Sequence, residues 1–200
     1  MIMFDKISKY ITDMIYSTMP DVPPEKREII EYGVYMTASE IVKIGVILLV
    51  SLILKIVPYV AAAIAFFGIQ RTLLGGIHAK THLGCVLAHS GIVFGIVAAS
   101  MLLDINRLYL LLITVPFSYL TAYLYAPADL PQKPIKSKRQ RTQLRVGGFI
   151  LLTALFTASC FLPALWSRII IFSCLLQAFC MTPIAYKITN NKYGREEVSV

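Results

Sequence analysis

The chain of 200 residues is 57% hydrophobic and only 15% charged, where soluble domains average ~45–50% and ~25%; its mean hydropathy is +0.70. A globule of this size cannot hide that much apolar surface, so the composition excludes an ordinary water-soluble enzyme, a disordered chain and a disulfide miniprotein, and points to lipid. The formal charge of +8 would suit a nucleic-acid binder, but the positions of the basic residues decide otherwise.

The first 43 residues carry five Lys or Arg and seven Asp or Glu. They lack a greasy core followed by a small-residue cleavage site, so insertion through internal helices is expected, without a cleaved signal. Met3, Phe4, Ile7, Tyr10, Ile11, Met14 and Ile15 recur at helical spacing opposite Asp5, Lys6, Ser8, Lys9, Thr12 and Asp13. That pattern suits a helix lying in the membrane interface, or one packed on the protein's own cytosolic side. Pro20, Pro23 and Pro24 end it, and Pro24-Glu25 makes a good helix start.

Six apolar runs follow, at 41–57, 58–74, 84–103, 107–125, 146–163 and 165–186, each close to the ~20 residues needed to cross a hydrocarbon core. The first two are short and separated only by Lys55 to Pro58, so they read as a tight helical hairpin whose first arm can extend back into 25–40. The expected architecture is all-α: a polytopic membrane bundle of about six transmembrane helices behind an N-terminal amphipathic interfacial helix. Residues 1–24 form the interfacial segment and 25–186 the transmembrane domain, with cytoplasmic loops near 71–83 and 126–145; 187–200 form a cytoplasmic tail. With six crossings, sixteen of the nineteen Lys and Arg fall on the side of the termini and three on the other, which makes that side cytoplasmic. The basic cluster at 133–145 has no interleaved aromatics, so anchoring against anionic lipid explains it better than nucleic acid.

All three histidines lie in the polar island Arg71 to His89, between the second and third runs. On a continuous helix His78, His82, Cys85 and His89 would share a stripe about 60° wide, with His78 and Cys85 ~10.5 Å apart along the axis. Gly75, Gly76 and Gly84 permit a bent or broken helix that brings those two closer. A cysteine beside an imidazole is a nucleophile beside its base, and ionisable groups at a membrane boundary are functional more often than not. The alternatives are a metal site on the His78/His82/Cys85/His89 stripe, a small transporter, and His82 and His89 as polar residues at a helix contact. Cys160, Cys174 and Cys180 lie in apolar runs and read as small hydrophobes. The Pro-rich stretch from Tyr125 to Ile135 is a stiff turn, whose Asp129 either orients a histidine or pairs with the basic loop.

Gly75-Gly76-Ile77-His78-Ala79 with Cys85 seven residues after the histidine, then Tyr125-Ala126-Pro127 and Lys133-Pro134-Ile135, make the chain similar over nearly its whole length to accessory gene regulator B. That family is the integral-membrane cysteine endopeptidase of quorum sensing in Gram-positive bacteria. The resemblance implies a catalytic dyad at His78 and Cys85 that uses no cofactor and no metal, and leaves His82 and His89 outside the motif. It implies as partner an amphipathic precursor peptide, whose acidic C-terminal tail is removed and whose remainder is closed into a thiolactone or lactone. A homodimer is a further partner that it suggests. Arg71, Lys80, Asp129 and Lys133 are the candidate substrate-binding residues, with Arg71, Lys80 and the basic cluster attracting the acidic tail. Gly84 and the N–H of Cys85 are the candidate oxyanion donors. A single Lys133 precedes Pro134, a sparser basic stretch than relatives can carry.

Overall fold

The structure, a computed structural model, describes residues 2–18, 23, 26–77, 79, 82–129, 135 and 137–192. Among them the regular secondary structure is entirely helical: α1 (Ile2–Thr18), α2 (Arg27–Ile53), α3 (Val57–Leu74), α4 (His82–Leu102), α5 (Arg107–Tyr125), α6 (Lys138–Phe161), α7 (Ala164–Cys180) and α8 (Pro183–Ile188). The chain forms two compact units, Met1–Lys55 and Ile56–Val200. The first unit holds α1 and the unbroken helix α2, which pack on each other.

In the first unit, Tyr16 donates its hydroxyl to the Pro23 carbonyl at 2.9 Å. Arg27 pairs with Asp13 and lies over the Tyr16 ring, 5.4 Å from its centroid. Both ion-pair partners are solvent-exposed, so the pair orients the chain more than it stabilises it. Tyr10 and Met14 remain exposed while Ile11 and Ile15 are half-covered; the amphipathic stripe is therefore only partly used within the unit. α2 starts at Arg27, well ahead of the apolar run, and carries Lys43, buried and paired with Glu40 at 2.6 Å.

The second unit is a bundle of α3 to α7 in alternating directions. α7 is its hub and packs against α3, α4, α5 and α6. Ten of its residues, from Ser167 to Cys180, are buried. In the other long helices of this unit only 22% to 28% of the apolar span is buried. Their outward side chains, such as Leu87, Leu112, Ile113 and Ile150, form a greasy belt that only lipid can cover. These helices are long and apolar enough to cross a membrane, as is α2. Packing in lipid relies on close contact and local hydrogen bonds. Gly148 accordingly lets Leu74 into α6, and Ser100, Ser159 and Ser173 return their hydroxyls to carbonyls three or four residues back.

Three runs differ from their predicted bounds: the first, at 41–57, lies in α2, which ends at Ile53, and the other two are the last and the fifth. The last apolar run is two helices: α7 stops at Cys180, and Pro183 starts α8 under the Thr182 cap, whose Oγ1 accepts from Ala185 N at 3.3 Å. Proline has no N–H to continue the ladder and is at home in a first turn. The basic stretch 138–145 is helix rather than loop, since α6 opens at Ser137, whose side chain accepts from Gln140 N.

Candidate active site

The island between α3 and α4 is not one helix. α3 ends at Leu74, Gly75 and Gly76 take φ of 76° and 127°, and α4 resumes only at His82. The glycines are required by contact as well as by dihedral. A Cβ on Gly75 would lie 2.3 Å from the Ala128 oxygen, and one on Gly76 would lie 3.1 Å from the Cys180 oxygen. Through this gap the backbone makes a short parallel bridge with the loop after α5: Ala128 N donates to Leu74 O and Gly76 N to Ala128 O, each at 2.8 Å.

Ile77 is then held from both sides. Its N–H donates to Cys180 O at 3.1 Å, and Arg71 donates to its carbonyl. Arg71 also faces the Cys180 side chain and stacks its guanidinium over the Phe67 ring at 5.8 Å. Gln177, fully buried in α7, donates Nε2 to Gly75 O at 2.7 Å. The backbone entering the histidine motif is thus anchored on three elements up to the residue before His78. His78, Lys80 and Lys133 lie outside the described residues.

The loop after α5 is equally braced. Ala126 to Asp129 are buried, and the Ala126–Pro127 bond is cis. Asp129 accepts from Arg141 at 2.7 Å and from Ile135 N at 3.1 Å, and its side chain is 2% exposed. Arg141 also reaches Ile135 O at 3.2 Å, Arg145 donates to Tyr123 O, and Tyr186 of α8 donates to Ala128 O at 3.1 Å. Arg145 therefore bridges to a carbonyl in the last turn of α5, where the helix dipole favours positive charge, and Arg141 reaches Pro127 O just beyond it at 3.4 Å. Of the two roles weighed for Asp129, the observed contacts are those of pairing with the basic cluster.

Cys85 is a free, half-buried thiol in the first turn of α4. His82, Cys85 and His89 share that helix, but His78 precedes it, so the four-residue stripe does not exist as a helical feature. The His89 ring packs edge-on to Phe67 of α3, with centroids 6.1 Å apart, which is the helix-contact role weighed for it. The side chain of His82 is outside the described residues. Cys174 and Cys180 are buried, as small hydrophobes should be, whereas Cys160 is exposed on α6.

Gln177 and Tyr186 are not singled out by the sequence, and Arg141 enters it only as one cation of the basic cluster. Gln177 does leave a signal, as the one amide in the 165–186 run, where an unpaired polar group is costly; Tyr186 looks like an ordinary flanking residue.

With this geometry in view, the comparisons are decisive. The model of the family described as accessory gene regulator B matches residues 8–181. The chain belongs to that family. Accessory gene regulator protein B of Staphylococcus intermedius is 31% identical over 140 residues, covering 67% of this chain and 70% of that protein. AgrB-like protein 2 of Clostridium perfringens is 26% identical over 159 residues, covering 76% and 73%. No solved structure matches the chain significantly. As a family member with several long apolar helices, it is a multi-pass membrane protein with a role in accessory gene regulator quorum sensing.

Proposed function

We propose that this AgrB family member is a membrane cysteine endopeptidase that cleaves an autoinducer precursor and cyclises what remains, with Cys85 as nucleophile and His78 as base. The observation that carries the reading is the free Cys85 thiol in the first turn of α4, seven residues after a histidine whose preceding backbone is rigidly anchored. His78 takes the thiol proton, and the Cys85 sulfur attacks the scissile carbonyl. First-turn N–H groups favour negative charge at a helix N-terminus, and we assign Gly84 and Cys85 N–H to the resulting oxyanion. As the C–N bond breaks, His78 gives its proton to the leaving amine, and the tail departs. The acyl group remains on Cys85 as a thioester.

A thiol within the precursor then attacks that thioester. It takes over the acyl group as a thiolactone and returns sulfur and proton to Cys85 and His78; a hydroxyl in its place would leave a lactone. Exchange between thioesters is nearly balanced in energy, whereas water would end the cycle, so partial burial of Cys85 favours closure over hydrolysis.

We assign this end of the second unit, with both termini, to the cytoplasm. Arg71, Lys138, Arg139, Arg141, Arg145, Lys187 and Lys192 lie at or near it, against Arg107 and Arg168 at the other. A ribosomally made peptide arrives on that face, and its acidic tail would meet a basic surface. The test is incubation of the full chain in liposomes with the candidate precursor, followed by mass analysis. Cleavage and an acyl adduct on Cys85 are expected; Cys85→Ala protein that still cleaves overturns the reading. His78→Ala should leave membrane insertion intact and abolish thioester formation.

A further inference from the structure

Gln177 is an uncharged amide with no exposed surface in the hub helix of an apolar bundle. A leucine there would enter a membrane more readily. The amide's hydrogen bond does not serve its own helix: Nε2 crosses to the Gly75 carbonyl at 2.7 Å. Three residues further along α7, Cys180 O takes the Ile77 N–H. The two contacts bracket Gly76 and hold the strand entering His78 at two points. Tyr186, fully buried on α8, backs the same bridge from behind by donating to Ala128 O at 3.1 Å. Gln70 provides a contrast at a similar depth. It is equally buried, but it donates to Phe66 O within its own helix at 2.9 Å and touches Cys174, not the site strand.

We propose that Gln177 is a positioning residue for the cysteine-peptidase reaction, its cross-bundle bond to Gly75 setting where His78 stands relative to Cys85, with Tyr186 supporting it through Ala128. This rests on the His78–Cys85 reading above. The bonds concerned lie two and three residues from the imidazole, so losing one lets the strand drift. A displacement of ~1 Å at a reacting pair can cost ~100-fold in rate.

The test needs no substrate. The full-length protein in liposomes is treated with iodoacetamide at neutral pH, and alkylation of Cys85 is followed by site-resolved mass analysis. His78→Ala should slow it, because the base is gone. Gln177→Met, which keeps the length and removes the donor, should slow it by about 10-fold, while Gln70→Met matches the parent. The deciding readout is non-additivity: the double variant His78→Ala/Gln177→Met should react no more slowly than His78→Ala alone, since Gln177 acts through His78. A purely structural defect would add to the loss. A Gln177→Met rate equal to the parent, or an additive double variant, overturns the proposal. If Gln177→Met fails to fold, the same cycle with Tyr186→Phe decides, with an expected slowing of about 3-fold. If His78→Ala itself matches the parent, the dyad reading fails and the positioning role falls with it, a result distinct from a silent Gln177→Met.

Discussion

The two ends of the second unit are built differently. At the end bearing Gly75 and Cys85, segments are joined backbone to backbone as well as by side chains: Gly76 N to Ala128 O, Ala128 N to Leu74 O, Ile77 N to Cys180 O. At the other end they are joined by side-chain straps. Arg107 reaches Cys160 O at 2.7 Å and Ser159 O at 3.2 Å, and Arg168 reaches Leu103 O at 3.0 Å and the fully exposed Asp104 at 2.7 Å. A flexible arginine strap holds an end together and tolerates small movements. A backbone bridge through two glycines leaves no slack and admits no Cβ. The first suffices for a turn in a membrane bundle, and the second is what the proposed His78–Cys85 pair would need.

Substitutions can break or sharpen that contrast. The largest effect should come from Gly75→Ala, which puts a Cβ 2.3 Å from Ala128 O at a positive φ. We expect precursor cleavage to fall by at least ~100-fold and stability by about 2–3 kcal/mol, read by thermal unfolding in micelles. Asp129→Ala should match or exceed that on stability, by about 3 kcal/mol, with a smaller loss of cleavage, because it leaves the mostly buried Arg141 without its carboxylate. Gly76→Ala meets a softer contact, 3.1 Å from Cys180 O, and should cost about 1–2 kcal/mol with a partial loss of cleavage.

At the opposite end, Arg107→Met should lower stability by about 1 kcal/mol and leave cleavage at the parent rate. Asp104→Asn should be smallest, with melting temperature and cleavage both indistinguishable from the parent, since its carboxylate is in full contact with solvent. An Arg107→Met protein as inactive as Gly75→Ala would show that the ends are not separable in this way.

Much of the fold was legible beforehand because apolar length is a direct consequence of lipid thickness. The runs at 58–74, 84–103 and 107–125 reappear as α3, α4 and α5 with ends moved by at most two residues. The errors fall where a run carries an internal stop or a polar extension. Pro183 sits inside an apolar run that its neighbours' hydropathy does not interrupt, and the charge of Lys138 to Arg145 predicts a solvated loop. Helix there depends on the Ser137 cap and on carbonyl partners for Arg141 and Arg145 contributed by α5 and the loop after it. The site was legible as a motif, not as an arrangement. Gly75 and Gly76 pointed to a break, but nothing near them pointed to Ala128, Gln177 or Cys180 as the groups that hold it.

Composition, apolar run length and the distribution of Lys and Arg determined by themselves that this is a multi-span membrane protein, because transfer into lipid is a property of each segment considered alone. The glycine-histidine-cysteine spacing determined which residues to watch. Only the tertiary structure decided that the segment before His78 is held by residues about 50 and about 100 positions away. Hydrogen bonds between irregular backbone segments have no period in sequence, and their partners are chosen by how the helices pack.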